Sequence, residues 1–101
     1  MAIVGRLEAS PSPEARAAAE TIRSRSPLSV AITLEALRRA RSTGSLAEVL
    51  EADGVIASRM LDGSDFAEGV RAQLVDKDRE PTWRHARLED VTRDEVVAYF
   101  P

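Results

Sequence analysis

The chain has 101 residues and a formal net charge of −3, a length that suits one domain and scarcely two, and a charge that builds no overall field for nucleic acid or an anionic membrane. Hydrophobic residues reach 44% but aromatics only 4%, so a core would rest on Leu, Val, Ile and Ala; with 31% charge, that composition favours helices over a β-sandwich. There is no cysteine, which excludes disulfides, thiolate catalysis and cysteine-held metals together.

The first stretch, MAIVGRLEAS, lacks the basic start and long apolar run of a signal peptide, and no segment approaches the roughly 20 apolar residues needed to cross a bilayer. A soluble, cytoplasmic protein with no membrane partner is the expectation. Residues 3–8 suit one or two helical turns with Ile3, Val4 and Leu7 on one side; they open without a cap, as a piece of something longer would. Ser12-Pro13 then supplies an N-cap and a first-turn proline. Ala15, Ala18, Ala19 and Ile22 follow as a thin stripe suited to close packing. Ser26-Pro27 repeats the start signal, with Val30, Leu34 and Leu37 marking one face. Arg38, Arg39 and Arg41 fall where cations complement a helix C-terminus, so they read as a solvated helix end before Gly44 rather than a phosphate patch.

Ser45-Leu46-Ala47-Glu48 is a capping box. Behind it Leu46, Val49, Leu50, Ile56, Ala57, Met60 and Leu61 recur at the spacing of a buried face, closed by Asp62-Gly63. Asp53 interrupts that face; it is either a paired buried carboxylate or one that reaches water where Gly54 distorts the helix. Asp65 is expected to cap the next helix, with Phe66, Val70 and Leu74 on its face and an end near Val75. Residues 76–87 have no period. A third box, Thr92-Arg93-Asp94-Glu95, starts a last helix in which Val91 staples on Val96 before Val97, Tyr99 and Phe100. The whole predicts an all-α fold of five or six helices.

Candidate chemistry is sparse. Asp76, Asp78 and Glu80 imitate the start of a calcium loop, but Pro81 and Arg87 stand where glycine and glutamate are needed. His85 is the sole histidine, so it builds no zinc site and reads as a loop histidine without catalytic duty. No metal site and no catalytic residue is expected. Lys77 lies between two acids just past a helix, and either pairs locally with Asp76 or Asp78 or meets a phosphate with its stem packed.

The set Asp65-Phe66, Glu68-Gly69-Val70-Arg71-Ala72, Asp76-Lys77-Asp78, Pro81 and Trp83 resembles the carboxy-terminal signature of the 3-hydroxyisobutyryl-CoA hydrolases of the crotonase, or enoyl-CoA hydratase/isomerase, superfamily. Ser26-Pro27-Leu28-Ser29 with Thr33-Leu34, and residues 88–100, agree with it, so the resemblance runs from about Leu7 to the end. It implies that residues 1–101 are one helical C-terminal segment of such a protein, without the ββα-spiral core that carries the oxyanion hole and catalytic acids. The segment would cover the acyl-CoA pocket and make core or subunit contacts, and would be inactive alone and hold no cofactor. The resemblance places Lys77 near the CoA nucleotide and Phe66 in the wall of that region, and Asp65, Pro81 and Trp83 as structural anchors. Where relatives commonly carry an aromatic and then a basic residue after the acid at Asp53, this chain has Gly54 and Val55. The implied partners are the crotonase core or a second copy, with acyl-CoA bound only in the complete enzyme. The alternative is a free-standing helical interaction module derived from that family, or a fragment of an enoyl-CoA hydratase/isomerase. In either case the isolated chain should self-associate or expose apolar surface.

Overall fold

In the computed structural model, which describes residues 2–101, every regular element is helical. The order is α1 (Ala2–Glu8), α2 (Pro13–Ser24), α3 (Pro27–Ser42), α4 (Leu46–Leu61) and α5 (Ser64–Val70), the last running on through a π-helical turn (Arg71–Val75). A single 3₁₀ turn (Leu88–Asp90) then leads to α6 (Arg93–Val97). Among the described residues there are six α-helices and no strand, the expected class.

The helix starts follow from side-chain chemistry. Oγ of Ser12, Ser26 and Ser45 and Oγ1 of Thr92 accept from the amides of Ala15, Ser29, Glu48 and Glu95 at 3.2–3.3 Å, satisfying donors that no helical carbonyl can reach. Pro13 and Pro27 occupy first-turn positions where an amide would have been orphaned anyway. Asp65 departs from expectation: α5 is preceded by Gly63 at its N-cap and has no side-chain cap. The Asp65 carboxylate is drawn instead to two partners outside its own helix, described below.

Two small cores hold the elements together. Leu28 and Ile32 of α3, Ile56 of α4, Val96 of α6 and Phe100 form one, with Val91, Met60 and Tyr99 against it. Val4, Ala19 and Leu88 form the other, joining α1, α2 and the 3₁₀ turn. Apolar stripes read from the sequence are only partly used. On α4 Ile56 is buried and Val49 and Met60 half-buried, but Leu46, Leu50 and Leu61 are 73%, 60% and 59% exposed. These three, with Ala57, recur every four or seven residues and so share one outward face. Asp53 lies on the same face and is exposed, and α4 runs unbroken through Gly54, so the carboxylate reaches water without helix distortion. Leu37, Phe66 and Leu74 are likewise exposed, where the spacing predicts buried faces. The buried face of α3 is carried by Leu28, Ile32 and Glu35 instead.

The shape agrees with that partial use. The Cα radius of gyration is 14.9 Å, against about 13 Å for a compact domain of this length. The accessible surface is 6922 Å², where a compact monomer of 11.0 kDa exposes about 5,600 Å².

Candidate functional site

The stretch from α5 to the 3₁₀ turn is irregular but tied down at each step. Glu68 and Arg71 lie one turn apart and form a fork: Arg71 Nε donates to Glu68 Oε1 at 2.8 Å and one terminal nitrogen to Oε2 at 2.7 Å. The other terminal nitrogen donates to Asp76 Oδ2 at 2.8 Å and Asp78 Oδ2 at 2.7 Å. One guanidinium thus gathers three carboxylates. The π-helical turn makes this reachable, since the Asp76 amide bonds to the Arg71 carbonyl at 2.8 Å and brings the chain back over its own last turn. Further on, the Thr82 amide donates to Glu68 Oε2 at 2.7 Å, and the Glu80 amide to Asp78 Oδ1 at 2.9 Å. Pro81, half-buried between them, has no amide to satisfy.

The charges respond. The Arg71 bond, then the Thr82 amide, lower the Glu68 carboxyl to about 2. The same guanidinium, with help from the Glu80 amide, holds Asp78 below its ordinary value. Arg71 is itself raised by Glu68 first, then Asp78 and Asp76.

Asp65 and Trp83 fasten the loop to the helices. Asp65 accepts from the Ser26 hydroxyl at the start of α3 and, at 2.8 Å, from the Arg84 amide. It is therefore a link between α3 and the loop rather than a cap. The Trp83 indole lies over Gly69, where a Cβ would stand 3.6 Å from Cη2, and its Nε1 donates to the Ser24 carbonyl at 3.3 Å. Trp83, Phe66 and Val70 then share a groove of about 420 Å³ with Leu28, Met60 and Tyr99. Phe66 remains 53% exposed at its edge.

Lys77 is not in that groove. It sits on the turn beyond α5 with φ 56, a left-handed conformation unusual for a side-chain-bearing residue, and Arg79 repeats the same φ. Both are exposed. The local pairing left open by the sequence is not made: Asp76 and Asp78 go to Arg71, and among the described residues no carboxylate pairs with Lys77. The same use of the acids leaves no cluster of metal ligands among the described residues. So Asp65, Phe66 and Trp83 converge on one groove, while Pro81 and Lys77 belong to the adjoining turn.

His85 is less idle than its place in a loop implies. Its side chain is 9% exposed and its Nε2 bonds to Glu95 of α6. Burial works to raise the Glu95 carboxyl, but His85 and Thr92 outweigh it and hold it below its ordinary value. Also on α6, Arg93 donates with Arg39 to buried Glu35, and the Arg39 guanidinium lies 4.2 Å from the centre of the Phe100 ring. The arginine cluster at the end of α3 is thereby structural at Arg39. Sequence reasoning passed over Arg71, for which two signals existed: the Glu68–Arg71 helical spacing, and its position as the last cation before three acids at 76–80. It also passed over the fact that Lys77 is the only lysine among fourteen basic residues.

The described residues form two thin cores and a braced loop, with several large apolar side chains left exposed. The family model described as enoyl-CoA hydratase/isomerase matches residues 1–100, and the chain belongs to that family. It is 41% identical over 98 residues to the mitochondrial 3-hydroxyisobutyryl-CoA hydrolase of Rattus norvegicus, covering 97% of this chain and 25% of the relative. It is 45% identical over 83 residues to the small ribosomal subunit protein mS47 of Arabidopsis thaliana, covering 78% of this chain and 20% of that one. Among solved structures, an enoyl-CoA hydratase from Rhodobacter sphaeroides 2.4.1 superposes with a TM-score of 0.89 at 40% identity, over 97% of this chain and 29% of its own. The hydrolase relatives are matched in their C-terminal portion, and the chain spans about a quarter of their length. No helix among the described residues is long and apolar enough to cross a membrane.

Proposed function

We propose that this chain is the C-terminal helical part of a 3-hydroxyisobutyryl-CoA hydrolase-like thioesterase, docking on a crotonase core and covering its CoA pocket. Thioester hydrolysis needs donors placed where the oxyanion forms, and in this reading the core supplies them. The chain supplies binding: Phe66 walls the nucleotide region, Lys77 meets a CoA phosphate, and Asp65, Pro81 and Trp83 hold the turn that carries them. Valine breakdown and a cytoplasmic location belong to the same proposal, although the hydrolase relatives are named mitochondrial.

The observation that carries the reading is the match in register and shape to about a quarter of such enzymes, together with apolar residues left outside. The surplus of roughly 1,300 Å² over a compact monomer exceeds the about 800 Å² that each partner buries in a standard interface. Mixing the chain with an amino-terminal hydrolase core tests it. Restored hydrolysis of 3-hydroxyisobutyryl-CoA supports the reading, and two folded pieces that ignore each other sink it.

The ribosomal relative favours a second reading, a helical interaction module that keeps the shape without the enzyme. That reading predicts stable self-association with no response to the core or to CoA.

A further inference from the structure

Lys77 is flanked on both sides by acids, yet it is free of them. Exposed ion pairs between such neighbours form only weakly. Here none forms, because Asp76 and Asp78 both turn to one nitrogen of Arg71, at 2.8 and 2.7 Å. That nitrogen is in place because the rest of the guanidinium is clamped by Glu68. The backbone cooperates: Lys77 and Arg79 take left-handed φ on either side of Asp78, and the Arg79 amide bonds back to the Ala72 carbonyl at 2.9 Å. The turn sorts its charges, acids inward onto Arg71 and bases outward into solvent. Left-handed φ at two side-chain-bearing residues so close together is a standing conformational cost, which persists only where surrounding bonds over-determine it.

We infer that Arg71 is a positioning residue which sequesters Asp76 and Asp78 so that Lys77, the chain's only lysine, stands as an unpaired cation able to meet an anion. In the function proposed above that anion is a CoA phosphate, and this part of the inference rests on that reading. Arg71 touches no ligand in this account and acts only through Lys77. A lysine presents a compact point charge with rotatable donors, suited to a phosphate whose approach is not fixed to one plane.

The test reads Lys77 directly in the full 101-residue chain, whose single lysine makes trinitrobenzenesulfonate a selective probe. Modification is followed by mass spectrometry on the peptide carrying Lys77, so the amino terminus does not contribute. Arg71→Ala should slow it about two- to fivefold, the factor that a newly formed exposed ion pair supplies. Adding Asp76→Asn and Asp78→Asn to Arg71→Ala should return the rate to that of the unaltered chain. The two asparagines with Arg71 intact should change nothing. That rescue separates sequestration from a general bracing role, since a turn that had merely collapsed would not regain its rate by losing acids. An unchanged or faster rate in Arg71→Ala, failure of the rescue, or acceleration by the asparagines alone each overturns the inference. The CoA reading is read separately, by the KM of the core-complemented enzyme with Lys77→Ala. No shift there removes CoA as the anion while leaving the role of Arg71 intact.

Discussion

Glu68 gives the loop a pH dependence of definite sign. Its folded value is depressed to about 2 from an ordinary 4.5, first by Arg71 and then by the Thr82 amide. A depressed carboxylate stabilises fully above its unfolded value and ceases to do so as pH falls through its folded one. The bracing of residues 76–82 should therefore be complete above about pH 4.5 and fade towards pH 2. Trp83 is the only tryptophan and sits at the end of the braced segment, so its emission reports the change. Glu68→Gln should show the low-pH emission already at neutral pH; identical acid titrations for the two proteins would contradict the assignment. Lys77 carries a second prediction at this scale. Glycine takes φ 56 without penalty, so Lys77→Gly should leave thermal stability unchanged or raise it by up to about 1 kcal/mol. In the core-complemented enzyme the same change should raise the KM for acyl-CoA at least about fivefold with kcat nearly constant, the mark of a binding contact. A loss of stability instead would mean that the lysine side chain braces the turn.

Among the helices, the most exacting joint is the start of α3. Ser26 is buried, accepts from the Ser29 amide at 3.2 Å, and donates to Asp65. Ser26→Ala removes both bonds and should cost about 1–2 kcal/mol in urea unfolding. A cost near zero would show that neither bond contributes. Gly69 marks where α5 meets Trp83, but an added Cβ would make only ordinary contact at 3.6 Å, so Gly69→Ala should be tolerated and even gain helix stability of about 0.5–1 kcal/mol. Starts such as Ser12, Ser26, Ser45 and Thr92 were legible in the sequence because a cap is local, settled within three residues. Asp65 was misread for a complementary reason. It has the right chemistry for a cap, but Ser26 and Arg84, far off in sequence, outbid its own helix. The loop's inner logic was hidden likewise, because a π-helical turn folds Asp76 and Asp78 onto Arg71 and leaves no periodic trace. The apolar period of α4 was read as one buried face, but it divides into an inward set of Val49, Ile56 and Met60 and an outward set of Leu46, Leu50, Ala57 and Leu61, a division that periodicity alone does not make.

For the molecule as a whole, the question is what lies against that outward set. Leu46, Leu50 and Leu61 are exposed together with Leu37, Phe66 and Leu74, while the two cores inside are small. Leu46, Leu50 and Leu61 share one outward face of α4, and an exposed apolar face of this kind marks an interaction surface. Family membership with a span of only about a quarter of its hydrolase relatives supplies the reason that the proposed function adopts: the surface fits a core that the rest of such a protein provides. Alone, the chain should brighten a hydrophobic dye and elute larger than a monomer, and both effects should fall on addition of that core. The most direct measurement mixes the chain with an amino-terminal hydrolase core ending where the match to this chain begins, then follows complex formation by light scattering and hydrolysis of 3-hydroxyisobutyryl-CoA in the same sample. The account predicts a defined complex and restored turnover, with both lost when Leu46→Glu and Leu50→Glu are introduced together into an otherwise folded chain. Two folded pieces that form no complex, or a complex indifferent to those substitutions, would contradict it.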